Sequence, residues 1–163
     1  MIDSPRGVDL YEELRSIAGA LDAAGVRYAL VGGVAVSIYA TPRATEDIDV
    51  LVSSDDIEPA IAALSPLGFR APGPPFAVAG GRLRIARVLK VDGADLLPVD
   101  LLAPVDPALM PLLADRVVHD VGGRPVAVVG LASLRVLKRL RRSPQDMADL
   151  DALGPEESAG GSG

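Results

Sequence analysis

The chain has 163 residues, a length that predicts a single domain with its own hydrophobic core and no separate regulatory module. With 16 basic against 22 acidic residues its formal net charge is -6, which argues against a protein that coats nucleic acid indiscriminately. The absence of cysteine excludes disulfides, thiolate zinc sites and thiol nucleophiles, so oxygen atoms are the expected metal ligands. The sequence lacks a signal-peptide pattern and a membrane-spanning apolar run, so we expect a cytoplasmic protein with no membrane partner.

Apolar periodicity predicts that helices and strands alternate in the first half of the chain. Steps of three and four residues indicate an amphipathic helix from Val8 to Ala24, closed by Gly25. The following elements are predicted as a strand at 27–31, a short helix at 34–40, a strand at 47–52 and a helix at about 55–64 with Ser54 as its N-cap.

Strands dominate the second half until two helices close the chain. Residues 70–81 are rich in proline and glycine and are predicted to form a loop. The predicted elements that follow are strands at 82–91 and 95–102, a hairpin of 116–121 with 124–129, a helix from Leu131 and a last helix at 146–153 capped by Ser143. The order predicts an α/β (α+β) domain over residues 1–154, with a mixed, mainly antiparallel sheet flanked by helices. Residues 155–163 are expected to be a disordered tail.

Two carboxylates on one predicted strand are the most informative pair. Asp47 and Asp49 project to the same side of the strand 47–52 and are close enough to ligate one divalent ion or a pair of ions. Because like charges on such a strand repel, they need either solvent or a cation. The alternative interpretation is therefore a strand end exposed to water.

Other candidate residues each have a plain structural interpretation as well. Gly32 and Gly33 lie between a strand and a helix, where a backbone without Cβ can approach a phosphate, or where the chain simply turns. Asp100 interrupts an apolar strand, so it lies at a strand end or has a partner such as a metal. Lys138 belongs to a basic helix and either reaches a triphosphate or is solvated. His119, the single histidine, is expected at the surface of the hairpin.

Taken together, residues 31–52 (VGGVAVSIYATPRATEDIDVLV) resemble the signature of nucleotidyltransferases of the DNA polymerase beta-like superfamily. More narrowly, they are similar to the minimal, AbiEii toxin-type branch, in which a Gly-Gly helix start is followed by Arg-x-Thr-x-Asp-(Ile/Leu)-Asp. Residues 99–102 resemble the strand that carries the family's third carboxylate. Residues 126–153 are similar to its C-terminal lysine helix with the pattern Arg-x-x-x-Asp-x-x-Asp.

The resemblance implies a role for each matching residue. Asp47, Asp49 and Asp100 are expected to bind Mg²⁺ and to be catalytic, with Asp100 as the candidate base. The residues expected to bind the nucleotide are Gly32, Gly33, Arg43, Thr45 and Lys138. Asp146 is expected to organise the helical end by pairing with Arg142.

The implied activity is Mg²⁺-dependent transfer of a nucleoside monophosphate from an NTP to an acceptor hydroxyl on an RNA 3' end, a protein or a small molecule. The toxin-type branch adds the toxin of a toxin-antitoxin pair as a candidate role and a cognate antitoxin protein as a candidate partner. Two alternatives stay open: a catalytically silent nucleotide- or partner-binding module, and a small aminoglycoside-type antibiotic nucleotidyltransferase.

Overall fold

The computed structural model describes residues 9–40 and 46–154. The described residues form five α-helices: α1 (Leu10–Ala23), α2 (Gly32–Tyr39), α3 (Ile57–Leu64), α4 (Leu131–Arg141) and α5 (Pro144–Leu153). They also form seven strands: β1 (Tyr28–Val31), β2 (Ile48–Val52), β3 (Phe76–Val78), β4 (Leu83–Asp92), β5 (Asp95–Pro104), β6 (Arg116–Val121) and β7 (Arg124–Val129). Short 3₁₀ segments connect several of them, the longest at Pro107–Ala114.

All seven strands belong to one sheet, in the order β3-β4-β5-β2-β1-β7-β6. The neighbouring pairs are antiparallel except β2 with β5 and β1 with β7, which are parallel. The predicted mixed, mainly antiparallel sheet flanked by helices is therefore confirmed. Because β1 and β2 occupy the middle of the sheet, the segment that carries Asp49 is anchored on both sides by backbone pairing.

One hydrophobic cluster fixes these central strands. It contains buried side chains from β1, β2, β4, β5 and β7 and from α1 to α4. All four residues of β1 are buried, as expected for a strand covered on both faces. Since burying one such side chain contributes roughly 1.5–3 kcal/mol, a register slip of these strands would be costly.

Three local predictions are wrong for identifiable reasons. Helix α2 begins at Gly32, so the two glycines form its first turn and not a turn before it. Ser53, and not Ser54, caps the segment after β2. Its hydroxyl accepts a hydrogen bond from the Asp55 amide. The predicted loop at 70–81 contains β3, since its residues after the prolines pair with β4.

His119 is less exposed than predicted. Its ring packs edge-on against Tyr39 with the ring centroids 5.7 Å apart. Its Nε2 atom is buried, with no hydrogen-bond partner among the described residues. Within residues 9–40 and 46–154, no helix has the length and apolar character needed to cross a bilayer.

Candidate active site

Two of the predicted carboxylates lie side by side on neighbouring parallel strands. Asp49 on β2 is the register partner of Asp100 on β5. Directly paired residues of adjacent strands point to the same face of the sheet. Asp49 and Asp100 therefore share one face, and Asp47, which directly precedes β2, is close enough to act electrostatically on Asp49.

Asp100 has a partner that the sequence analysis missed. Arg87, its register partner on β4, donates from Nε to Asp100 Oδ1 at 2.7 Å and from Nη2 to Oδ2 at 2.9 Å. This two-point contact holds both carboxylate oxygens, and it raises the pKa of Arg87. Asp100 is buried, whereas the Arg87 side chain is about half exposed. The buried carboxylate is thus neutralised from within the chain.

The glycine pair brings the start of α2 against Asp49. Gly32 has φ +72, and a Cβ added there would collide with Asp49 Oδ2 and lie 2.7 Å from Asp49 Cβ. The N-cap residue Val31 makes no side-chain cap, so the first amides of α2 are not covered by a capping side chain. Backbone amides at a helix start favour an anion, which suits the predicted phosphate-binding role of Gly32 and Gly33.

Gly32→Ala is expected to destabilise the protein more than Gly25→Ala. Both glycines have φ +72, so each alanine bears the same backbone strain of about 1 kcal/mol. Nothing lies within 4 Å of a Cβ at Gly25, whereas at Gly32 the Asp49 side chain must move. Overpacking of this kind adds about 1–3 kcal/mol. Urea unfolding of the two variants measures the difference, and equal losses would contradict the close approach of Gly32 to Asp49.

Five of the eight predicted site residues line a cleft of about 380 Å³, and Asp100 is not among its lining residues. Its walls come from the start of α2, the approach to β2, and the facing sides of α4 and α5. The lining residues are Val31, Gly32, Gly33, Glu46, Asp47, Asp49, Leu102, Leu134, Leu137, Lys138, Arg141, Ser143, Gln145 and Asp146. The cleft thus unites the glycine pair and two of the three carboxylates with Lys138, which lies far from them in the chain.

A second recess of about 350 Å³ adjoins the cleft. It shares Glu46 and Asp47 with the cleft and adds Asp95 from the start of β5. Asp47 therefore lies between the two spaces, and the charged side chains that the described residues contribute to the second space are carboxylates.

Lys138 is buried between two carboxylates of α5. Its Nζ lies 3.1 Å from Asp146 Oδ1 and 2.8 Å from Asp149 Oδ2. Asp146 also accepts from the Ser143 hydroxyl at 2.7 Å and forms a capping box with it at the start of α5. The partner of Asp146 is thus Lys138 and not Arg142, because the buried ammonium needs a counter-charge and the exposed Arg142 does not.

The surroundings of Asp49 disfavour its charged form. Burial, followed by the nearby Asp47 and Asp100 carboxylates, raises the pKa of Asp49 to about 7, although Arg141 and Lys138 oppose this change. A carboxylate in this position is stabilised by a cation or by a proton.

Asp49→Asn is expected to stabilise the folded protein above pH 7. Between the unfolded pKa of 3.8 and the folded pKa of about 7, the folded state retains a proton that the unfolded chain has lost. The free energy of unfolding therefore falls as the pH rises through this range, and the asparagine removes that loss. We expect a gain of about 2 kcal/mol at pH 8, after allowance for the partial exposure of Asp49, and none near pH 3.5.

Urea unfolding from pH 3.5 to 8 in a chelating buffer measures this effect. The matched control is Asp151→Asn at an exposed position of α5, which is expected to leave the wild-type pH profile unchanged. Equal unfolding free energies of wild type and Asp49→Asn at pH 8 would contradict the crowding of carboxylates around Asp49.

Two carboxylates of the cleft are suitable ligands for a divalent cation. Among residues 9–40 and 46–154, no three carboxylate or imidazole side chains are arranged to hold a metal ion by themselves. Asp47 and Asp49 nevertheless fit Mg²⁺, which is commonly bound by one or two carboxylates together with substrate phosphates and water. The raised pKa of Asp49 is consistent with a position that gains from a cation.

Two predicted nucleotide-binding residues, Arg43 and Thr45, lie outside the described residues. Two functional candidates were missed, Arg87 and Arg141. Arg87 had a readable signal, because the tight turn at Gly93 between β4 and β5 sets Arg87 opposite Asp100. Arg141 was one of several arginines on α4, and only the packing of α4 against α2 singles it out as a cleft residue.

No family model and no curated protein matches the chain in sequence. Comparison with solved structures finds proteins of similar fold. An antigenic nucleotidyltransferase-like protein from Paracoccidioides brasiliensis has a TM-score of 0.60 at 18% identity, over 88% of this chain and 74% of that one. This chain has a nucleotidyltransferase-like fold.

Two antibiotic-modifying proteins share this nucleotidyltransferase-like fold. ANT(2'')-Ia in complex with adenylyl-2''-tobramycin has a TM-score of 0.58 at 15% identity, over 88% of this chain and 86% of that one. The lincosamide antibiotic adenylyltransferase LnuA, bound to lincomycin, has a TM-score of 0.55 at 15% identity, over 91% of this chain and 98% of that one. At such identities the likeness is one of fold.

Proposed function

We propose that this protein is a Mg²⁺-dependent nucleotidyltransferase that transfers a nucleoside monophosphate from an NTP to an acceptor hydroxyl. The observation that carries the proposal is the close approach of Gly32 to Asp49, in which the start of a helix lies against a strand carboxylate whose register partner on the next strand is Asp100. A helix start favours the phosphates and the carboxylates favour a cation, so the two halves of a metal-nucleotide complex each have a place.

The proposal assigns a task to the glycine pair, to the three carboxylates and to Arg87. The amides at Gly32 and Gly33 bind the triphosphate, and Asp47 and Asp49 hold Mg²⁺ with Asp100 beside them. A bound Mg²⁺ would neutralise the triphosphate and polarise the phosphate under attack. Asp100, oriented by Arg87, takes the proton of the acceptor hydroxyl. The hydroxyl oxygen then bonds to the α-phosphorus, and pyrophosphate leaves.

Positive charge for the triphosphate comes from α4. Arg141 and Lys138 line the cleft and act electrostatically on Asp49. Lys138 is already paired with two carboxylates, but an ammonium has three donors, so a phosphate contact is compatible with both ion pairs. Arg141 is exposed and is the more accessible cation.

The acceptor is one of the three classes that the sequence predicted. For the small-molecule class, ANT(2'')-Ia and LnuA supply tobramycin and lincomycin as test compounds. If the protein has the toxin-type role, the acceptor is an RNA 3' end or a protein hydroxyl. Incubation with labelled NTPs and total RNA, total protein and the two antibiotics separates these classes by the fraction that takes the label.

Calorimetry separates the enzyme from a module that binds only a protein partner. Each of the four NTPs is titrated into the protein with Mg²⁺ and again with a chelator. We expect heat that depends on Mg²⁺ for at least one NTP, since the metal bridges phosphate and carboxylate. A module that only binds a protein partner gives no metal-dependent heat with any NTP, and that result would overturn the proposal.

A further inference from the structure

The outer edge of β6 lies apart from the cleft and is open to pairing. Among the described residues, β6 pairs with β7 on one side and with no strand on the other. Natural sheets protect such edges with proline, charged side chains (lysine above all), a bulge or a very short strand. The six residues of β6, RVVHDV, include neither proline nor lysine, and Val118 is 66% exposed. The opposite edge is formed by β3, which has only three residues.

The hairpin determines which backbone groups of β6 point outward. Val121 and Arg124 flank the two-residue turn Gly122-Gly123, in which both glycines have positive φ. In such hairpins the flanking residues form a hydrogen-bonded pair, and hydrogen-bonded and open pairs then alternate along the strands. The odd-numbered residues of β6 therefore bond to β7, and the even-numbered residues direct their N–H and C=O groups away from it.

A contact beyond the far end of the hairpin agrees with this alternation. The Gly130 amide donates to the Asp115 carbonyl at 2.8 Å, so the pair that precedes Arg116 is a bonded one. The amide of Ala127, which lies opposite Val118, donates to the Tyr28 hydroxyl and not to β6. The outward-facing residues of β6 are thus Arg116, Val118 and Asp120.

We infer that β6 pairs antiparallel with β6 of a second copy of this chain, about a two-fold axis at Val118. This register uses the backbone groups of all three outward-facing residues. It places Val118 opposite Val118 of the second copy. It also places Arg116 of each copy opposite Asp120 of the other, so that each dimer has two such charge pairs. Opposite charges at directly paired positions stabilise an antiparallel pair. Two-fold registers centred on Arg116 or on Asp120 instead place like charges opposite each other.

The side chains of β6 suit this partner. Arg116 and Asp120 are exposed. Within one chain Arg116 Nη1 donates to the Tyr28 carbonyl on β1 at 3.1 Å, and Asp120 Oδ2 accepts from the Gly123 amide at 3.3 Å. The Arg116 guanidinium has further donors for a carboxylate, and it must turn outward from β1 to meet Asp120 of the second copy. On the other face Val117, which is 46% exposed, meets His119 of the second copy. Pairing therefore removes two exposed valines of each copy from water and satisfies outward-facing backbone groups.

A charge exchange tests the pairing. Sedimentation velocity of the full chain over a range of concentrations is expected to give a reversible dimer for the wild type. Arg116→Asp and Asp120→Arg each place like charges opposite each other, so each is expected to weaken the dimer about tenfold. The double variant Arg116→Asp/Asp120→Arg restores opposite charges and is expected to regain the wild-type affinity. A wild type that is monomeric throughout, or a double variant as weak as the single ones, would overturn the inference.

Two further measurements guard against misfolded variants and other dimer surfaces. Val118→Lys places two ammonium groups at the axis and is expected to be a folded monomer, while Val91→Lys, at an equally exposed valine of β4, stays dimeric. Hydrogen exchange of the wild type is expected to slow with rising concentration at the amides of residues 116, 118 and 120. Dimerisation with protection elsewhere and none at these amides would overturn the inference.

Discussion

Replacing Asp47 and Asp49 together with asparagine is expected to lower NTP turnover by about 10³-fold or more, since a loss of about 4 kcal/mol in transition-state stabilisation corresponds to that factor. Both side chains line the cleft beside Gly32, where the proposed Mg²⁺ and triphosphate meet. Asparagine keeps the shape of each side chain and removes the charge that holds the cation. Turnover is measured as pyrophosphate release with each NTP and the identified acceptor.

The Asp49 substitution is not expected to destabilise the folded state. The Asp49 carboxylate raises the energy of the folded protein at neutral pH, so its neutral replacement is expected to be at least as stable as the wild type. The matched control is Asp55→Asn, which removes a carboxylate outside the cleft and is expected to retain full turnover. Wild-type turnover in the Asp47→Asn/Asp49→Asn variant would contradict the assigned metal site.

Lys138→Met is expected to cost about 3–5 kcal/mol of unfolding free energy, the loss typical when one partner of a buried ion pair is removed. The substitution leaves the Asp146 and Asp149 carboxylates buried without their counter-charge, and these two contacts hold α5 against α4. The matched control is Arg27→Met at an exposed position outside the cluster, with an expected change below about 0.5 kcal/mol.

A neutral version of the cluster separates charge from packing. The triple variant Lys138→Met/Asp146→Asn/Asp149→Asn removes all three charges of this cluster and is expected to recover most of the lost stability. Urea unfolding of the single and triple variants measures both effects. A single variant within about 0.5 kcal/mol of the wild type would show that Lys138 does not support the packing of α4 and α5.

The part of the site that the sequence predicted is the part fixed by local patterns. The positions of Asp47 and Asp49 follow from two-residue strand periodicity, and those of Gly32 and Gly33 from the change from strand to helix. Both patterns need only the neighbouring residues. The exact start of α2 was misplaced because a glycine with positive φ begins that helix, a choice that depends on the nearby Asp49 side chain.

The part that was missed depends on contacts between distant elements. The pairing of Lys138 with Asp149 requires α5 to fold back on α4, and a basic helix does not indicate by itself which of its cations becomes buried. The same holds for Arg141, which reaches the cleft only through helix packing. Arg87 is intermediate, because the hairpin register that places it against Asp100 follows from the turn between β4 and β5.

Transfer of label from NTPs that carry ³²P at the α or the γ position tests the central claim most directly. The purified protein is incubated with Mg²⁺, each labelled NTP and separate RNA, protein and antibiotic fractions as acceptors. The proposed chemistry predicts that one fraction acquires the α label and that the γ label appears only in pyrophosphate. Transfer of the γ label to an acceptor, or no transfer of the α label from any NTP to any fraction, would contradict it.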